Sequence, residues 1–214
     1  GNPGLRPQFT SSAELGYKAA MGKGYLFASL YHKLTDGTIT RIATTTPGSN
    51  LIYNVFQNAG KSSATGVEMV FSRVMASWYS LNLNLNAYRN TIEPFTVNIL
   101  YPVPVVFSAQ RQRITSGTVK WNNTFSFTKT LTGQLQAAWL APDIIPQGRV
   151  GSRFSVDIGL KKTLQGGRGE VFLNATDLFN TLVINKEVQG DGFRYTSKDY
   201  YETQVIRFGY SYKF

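Results

Sequence analysis

The 214-residue chain has no cysteine and a single histidine, His32. Without cysteine there can be no disulfide framework, no thiolate metal site and no cysteine nucleophile. A catalytic Ser-His pair or a multi-histidine metal site would have to pass through His32, whose strand-like neighbours suggest a position in a wall instead. Charge is scarce, at 16% of residues, and mean hydropathy is -0.17. No stretch approaches the roughly 20 apolar residues that a spanning helix needs. The most apolar one, Val103 to Phe107, is short and has Pro104 within it and Pro102 just before it. A secretory leader is not evident either, because Gly1-Asn2-Pro3-Gly4 reads as loop chemistry. If the protein is exported, the sequence is expected to be a piece of it. The length admits one large β domain or two small ones.

Aromatic residues are plentiful: 14% of the chain, with 12 Tyr and 14 Phe. They sit in segments that alternate. At the C-terminus Ile206, Phe208, Tyr210, Tyr212 and Phe214 share one face, opposite Val205, Arg207, Gly209, Ser211 and Lys213. A strand places successive side chains on opposite faces, so this segment has an apolar side and a mainly polar one. In the same way Leu81, Leu83, Leu85 and Ala87 oppose Ser80, Asn82, Asn84 and Asn86. The pattern returns in 14–19, 66–71, 119–127, 134–139, 153–161 and 170–176, with Phe172 as an exception. From Tyr25 to Leu34 aromatics occupy one face and aliphatics the other, which leaves the facing ambiguous.

Nine strands are predicted, over 10–20, 24–43, 58–73, 77–92, 110–128, 132–141, 150–162, 169–180 and 202–214. Short turns (near 21–24, 73–77, 129–131 and 164–167) alternate with long irregular segments (near 44–57, 93–109, 142–149 and 181–201). Tight turns on one side and long loops on the other are a mark of outer-membrane barrels. The fold class predicted is therefore all-β, an antiparallel up-and-down transmembrane β-barrel segment. If the C-terminus is periplasmic, counting back through nine strands puts residues 1–9 outside the cell. Bacterial single-chain barrels have an even strand number and begin in the periplasm, so residues 1–214 are expected to be the C-terminal part of a larger barrel domain. Cut edges are costly. Such a piece alone is expected to close into a smaller barrel or to pair edges between chains.

Three segments carry a resemblance. Asn2-Pro3-Gly4-Leu5-Arg6-Pro7-Gln8 resembles N-P-x-L-x-P-E, with Gln8 where Glu is usual. Asn174-Ala175-Thr176-Asp177-Leu178-Phe179-Asn180 resembles N-x-x-D-L-F-N, and Tyr210 to Phe214 resembles a terminal Y-x-Y-x-F. In that order they are similar to the C-terminal barrel half of TonB-dependent outer-membrane receptors, in the group of outer-membrane β-barrel proteins. The resemblance implies a parent barrel of the 22-stranded type with an N-terminal plug, energised from the inner membrane through TonB. It also implies that Phe208, Tyr210, Tyr212 and Phe214 form the signal read by the barrel-assembly machinery.

No catalytic, cofactor-binding or metal residues are expected. Gly60-Lys61-Ser62 lacks the earlier glycine of a phosphate loop, since Val55 stands there, and is read as a strand entrance. Gly166-Gly167-Arg168-Gly169 is a turn. Alternation assigns ten charged residues to the lumen: Glu14, Lys18, Glu68, Lys120, Arg153, Asp157, Lys161, Glu170, Arg207 and Lys213. Six are cations and four anions, so most of the net charge of +10 belongs to turns and loops. Plug contacts, outer-leaflet phosphates or an anionic substrate would account for it. Nucleic acid is not expected, because the aromatics are committed to the other face. Asp177 is read as stabilising a strand-to-loop transition. Trp78, Tyr79, Tyr88, Trp139, Tyr210 and Tyr212 fit interfacial girdles. A soluble barrel that buried its apolar face inward would explain the alternation but not the loops gathered on one side. The leading expectation is a passive barrel wall of a nutrient receptor or transporter in the Gram-negative outer membrane. The alternatives are a porin or adhesin without TonB coupling and an outer-membrane hydrolase.

Overall fold

The computed structural model describes residues 2–46, 48, 51–101 and 103–214. Gly1, Pro102 and the middle of the 44–57 connection (Pro47, Ser49 and Asn50) therefore lie outside the described residues. Fifteen strands are described. Nine form one antiparallel sheet in the order β1 (Phe9–Ala20), β2 (Gly24–Thr45), β3 (Ile52–Ala76), β4 (Tyr79–Ile92), β7 (Gln112–Ser126), β8 (Leu131–Leu140), β11 (Arg153–Leu164), β12 (Gly169–Thr176) and β15 (Val205–Tyr212). These are the nine strands predicted, in sequence order. The chief difference in bounds is β3, which begins at Ile52 and so places Gly60-Lys61-Ser62 inside a strand rather than at its entrance.

The long connections are not irregular. Residues 93–109 contain the hairpin β5 (Phe95–Ile99) and β6 (Val105–Ala109). A four-stranded sheet is built from β9 (Asp143–Ile145), β10 (Gly148–Val150), β13 (Val183–Gly190) and β14 (Phe193–Tyr200). The β2–β3 ladder runs as far as Thr45 opposite Ile52. Backbone pairing between neighbouring segments holds the four-stranded sheet together, whereas β5 and β6 are docked by Phe95, Ile99 and Ala109, which join a buried cluster. β5 keeps period 2, with Phe95, Val97 and Ile99 against Thr96 and Asn98, but over only five residues, and β9 and β10 are three residues each, too short for the pattern to stand out.

Directly opposed residues share a face, so the register decides the facing of every strand. Leu15, Leu30, Val67 and Ala87 lie in one row across β1 to β4. Leu83, Trp121, Ala137 and Val156 form another across β4, β7, β8 and β11, and Leu160, Leu173 and Phe208 a third across β11, β12 and β15. These rows make one apolar face across the sheet. It is not a buried core: Leu15 is 77% exposed, Leu30 60% and Phe208 74%. The opposite face is polar, with Asn82, Asn122, Gln136 and Asp157 in one row.

The ambiguous segment 25–34 is settled by the same register. Leu26, Ala28, Leu30 and Leu34 face the apolar side, while Tyr25, Phe27 and Tyr31 face the polar side. Two of these aromatics stand against a glycine, Tyr31 directly opposite Gly66 and Phe27 diagonal to Gly16. A Cβ on Gly66 would lie 2.6 Å from the Tyr31 hydroxyl, and one on Gly16 would lie 2.8 Å from the Phe27 ring. Phe172, the exception to its strand's alternation, likewise covers Gly209. The ring fills the space left by the missing side chain, so these aromatics pack without an apolar face.

At Gly37 the backbone takes φ of 64°, which glycine tolerates, and the facing of β2 changes there. The Thr38 hydroxyl bonds the Ser62 hydroxyl at 3.0 Å, so Thr38 joins the polar side with Thr35, which is opposite Ser62. Beyond this point Ile42 is fully buried in a cluster with Ala59, Ile92, Phe95, Ile99 and Ala109. The buried core thus lies at the end of the sheet that carries the long connections.

The smaller closed barrel is not formed. β1 and β15 end the strand order, and among the described residues neither has a partner on its outer edge. Nine alternating strands leave the first and the last running in the same direction. Closure within the chain would therefore need a parallel pair in an otherwise antiparallel sheet, which is the less stable pairing.

Candidate functional site

At the long-connection end the segment carrying β9 and β10 is tied to the nine-stranded sheet by polar side chains. Asp143 accepts hydrogen bonds from the Tyr88 hydroxyl at 2.7 Å and from Asn90 Nδ2 at 2.9 Å, which brings β9 onto the polar side of β4. Tyr88 is therefore a polar-face anchor and does not stand with the girdle aromatics. Gln112 Nε2 donates to the Pro146 carbonyl at 2.6 Å. The buried Gln147 accepts from the Ala43 amide at 2.6 Å and donates to the Ala43 carbonyl at 2.9 Å, so its one amide group replaces a missing strand partner for β2. Through Gln189, whose amide donates to the Gln147 carbonyl at 2.7 Å, β13 is carried on the same anchor.

Between the β2–β3 extension and the four-stranded sheet opens a cavity of 430 Å³, lined by Arg41, Asn54, Gln147, Lys186, Tyr195 and Asp199 among others. Lys186 and Asp199 form an ion pair of 2.6 Å, and that hydrogen bond holds the Asp199 carboxyl below its usual range. A cleft with paired charges, amides and a phenol can orient a polar solute by hydrogen bonds. Among the described residues no three ligating side chains are grouped as a metal site would require.

The N-terminal segment runs beside this end. Asn2 Nδ2 donates to the Phe56 carbonyl at 2.9 Å, and Asn58 exchanges hydrogen bonds with the backbone of Arg6. Gln8 Oε1 accepts the Ile39 amide at 2.9 Å. An acceptor oxygen is what this contact requires, so Gln meets it where Glu is usual.

At the exit of β12 the backbone of Asp177 is left-handed, with φ of 44°, and the residue is 2% exposed. Its carboxylate accepts from Thr203 Oγ1 at 2.6 Å, the Thr181 amide at 2.9 Å and the Leu182 amide at 3.1 Å. Burial pushes the carboxyl up, but these hydrogen bonds outweigh it and hold the group below the ordinary carboxylate range. The Asp177 amide in turn donates to Asp157 Oδ1 at 2.8 Å.

The assigned charged residues do not converge. Register places Glu14, Lys18, Glu68, Lys120, Arg153, Asp157, Lys161, Glu170 and Arg207 on the polar face, opposite Tyr31, Phe27, Asn86, Asn84, Leu140, Gln136, Phe172, Ser211 and Asn174 in turn. Lys213 lies one residue beyond β15. Among these ten, Lys161 and Glu170 form an ion pair of 3.1 Å. His32 is exposed on the apolar-face side and hydrogen-bonds Thr65 Oγ1 at 2.8 Å. In the terminal segment Phe208, Tyr210 and Tyr212 oppose Leu173, Val171 and Gly169, and Phe214 is fully exposed beyond the strand. Sequence reading missed Gln147 and Asp143, which act across 104 and 55 residues of chain and lie in segments without periodicity.

A broad antiparallel meander with an exposed apolar face, a polar face and all its long connections at one end defines a protein of the outer-membrane β-barrel class. The chain belongs to the outer membrane protein beta-barrel family, whose family model matches residues 1–212. Membership places it in the outer membrane. No curated protein matches its sequence.

Proposed function

We propose that this chain is a sector of the barrel wall of a TonB-dependent outer-membrane receptor for nutrient uptake, without catalysis of its own. The observation that carries this reading is the pair of free edges on a sheet with one apolar and one polar face. Such a sheet serves as wall only when further strands complete it, and lipid then contacts the apolar side. The polar face becomes the lumen, with its charged residues, and would meet a plug. The short turns and Phe214 face the periplasm and the long connections face outward. The cavity beside Arg41 and Tyr195 would then offer a first polar contact for a small or oligomeric nutrient. Outer-membrane lipid, the barrel-assembly machinery, TonB and the nutrient are the partners proposed; nucleic acid is not one.

Uptake of candidate nutrients by cells carrying the intact protein tests the reading. Energy-coupled transport requires that uptake stop when TonB is deleted or the inner membrane is depolarised. Uptake unchanged by either treatment, together with steady conductance in planar bilayers, would replace the receptor with a porin.

A further inference from the structure

Above the row Leu15, Leu30, Val67 and Ala87, the same outward face changes from apolar to cationic. The next row holds Ala13, His32, Thr65, Arg89 and Thr115, and the one beyond it Ser11, Leu34, Ser63, Thr91 and Arg113. Arg89 and Arg113 are both exposed and are diagonal neighbours across β4 and β7, a spacing of about 7–8 Å that long side chains bridge. Neither row contains an acid. The nearest acids on that face lie one row higher, where Glu93 is engaged by Arg111 at 2.6 Å and Asp36 stands opposite Lys61. Glu14, Glu68 and Asp143 are turned to the polar face.

We propose that Arg89 and Arg113 form a binding site for the phosphate groups of an outer-leaflet glycolipid, its acyl chains lying along Leu30, Val67 and Leu85. The guanidinium is suited to this ligand because its planar fork bonds two phosphate oxygens at once and its charge survives at any physiological pH. Thr65 and Thr115 flank Arg89 in register, and the Thr115 hydroxyl adds a donor beside it. The apolar rows below fix how deep the acyl chains can lie, so the arginines stand at the level of the headgroups. This site rests on the orientation proposed above, with the long connections outside the cell.

The intact protein, folded in detergent, is mixed with bisphosphorylated lipid A, with its dephosphorylated form or with inorganic phosphate, and retained ligand is counted by native mass spectrometry. Wild type should hold the phosphorylated lipid in preference to the other two. The double variant Arg89→Gln/Arg113→Gln should retain about thirtyfold less of it, from two basic residues lost beside an anionic headgroup. Arg89→Lys/Arg113→Lys should retain an intermediate amount. Equal retention of phosphorylated and dephosphorylated lipid by wild type, or of phosphorylated lipid by wild type and the Gln variant, would overturn the site. Saturation by inorganic phosphate that displaces the lipid would reduce it to an anion site and also overturn it. If the Gln variant does not fold, the wild-type comparison of the lipids decides alone. Orientation is read separately, by labelling Leu100→Cys from outside whole cells; the chain has no other cysteine.

Discussion

Replacing Asp177 by Asn tests whether one carboxylate holds the connection between β12 and β15. The change keeps the side-chain shape, and Asn tolerates left-handed backbone, so neither packing nor φ is disturbed. The electrostatics are. Oδ1 faces the Thr181 amide and Oδ2 faces the Leu182 amide. Whichever way the new amide turns, its NH₂ points at a backbone N–H that can only donate. The Thr203 hydroxyl can rotate to accept, but a peptide N–H cannot. One buried donor is therefore left without a partner, and the remaining bonds lose their charge assistance, a cost of about 2 kcal/mol. That corresponds to about thirtyfold in the local opening equilibrium. Hydrogen exchange should show it as faster exchange at Thr181 and Leu182, with the β11–β12 ladder unchanged. The carboxyl titrates lower folded than unfolded, so its stabilisation is complete above the ordinary carboxylate range, near pH 4, and is lost as pH falls through the folded value. Wild type should lose protection at these amides in acid, and Asp177→Asn should show no such loss. Equal protection at neutral pH, or the same acid dependence in both proteins, would refute the assignment.

Other consequences follow from particular contacts. Gly66→Ala should destabilise the protein by about 1–3 kcal/mol, because the new Cβ lies 2.7 Å from the Ala87 carbonyl and displaces Tyr31 from Asn86; a lower urea midpoint in detergent would register it. Gln147→Ala leaves the buried amide and carbonyl of Ala43 without partners, and faster exchange at Ala43 and Gln189 should accompany release of β10 from β2. Leu85→Arg should cost about 2–4 kcal/mol of folding into bilayers if the apolar face meets lipid, whereas Asn84→Arg on the polar face should be close to neutral. Removing Phe214 should lower the yield of assembled protein in cells more than its refolding in vitro; equal effects would separate the terminal aromatics from any recognition role.

How much of this was legible depends on which force sets each contact. The nine strands and their two faces can be read directly, because an apolar wall needs period 2 over long stretches and the sequence keeps it, as in Leu81 to Ala87. Phe172 and Tyr31 break the pattern because their packing depends on a glycine in another strand, which periodicity in one strand cannot report. The short strands β9, β10, β13 and β14 leave no comparable pattern for a related reason. Backbone pairing holds β9, β10, β13 and β14, and backbone pairing leaves little trace in side-chain hydropathy. Of the candidate site, the charged residues on the polar face were readable by alternation and Asp177 by its motif. The Gln147 and Asp143 anchors were not.

By itself, then, the amino-acid sequence determined the wall: strand number, order, the alternation of short and long connections, and which side of most strands is apolar. These follow from local rules, one residue to the next. Tertiary structure alone decided the register that carries Arg89 and Arg113 to one border of the apolar face, the aromatic–glycine pairs, and the cavity between β2 and the four-stranded sheet. Each needs residues far apart in the chain to meet, and a one-residue slip in pairing would exchange the two faces and dissolve them all.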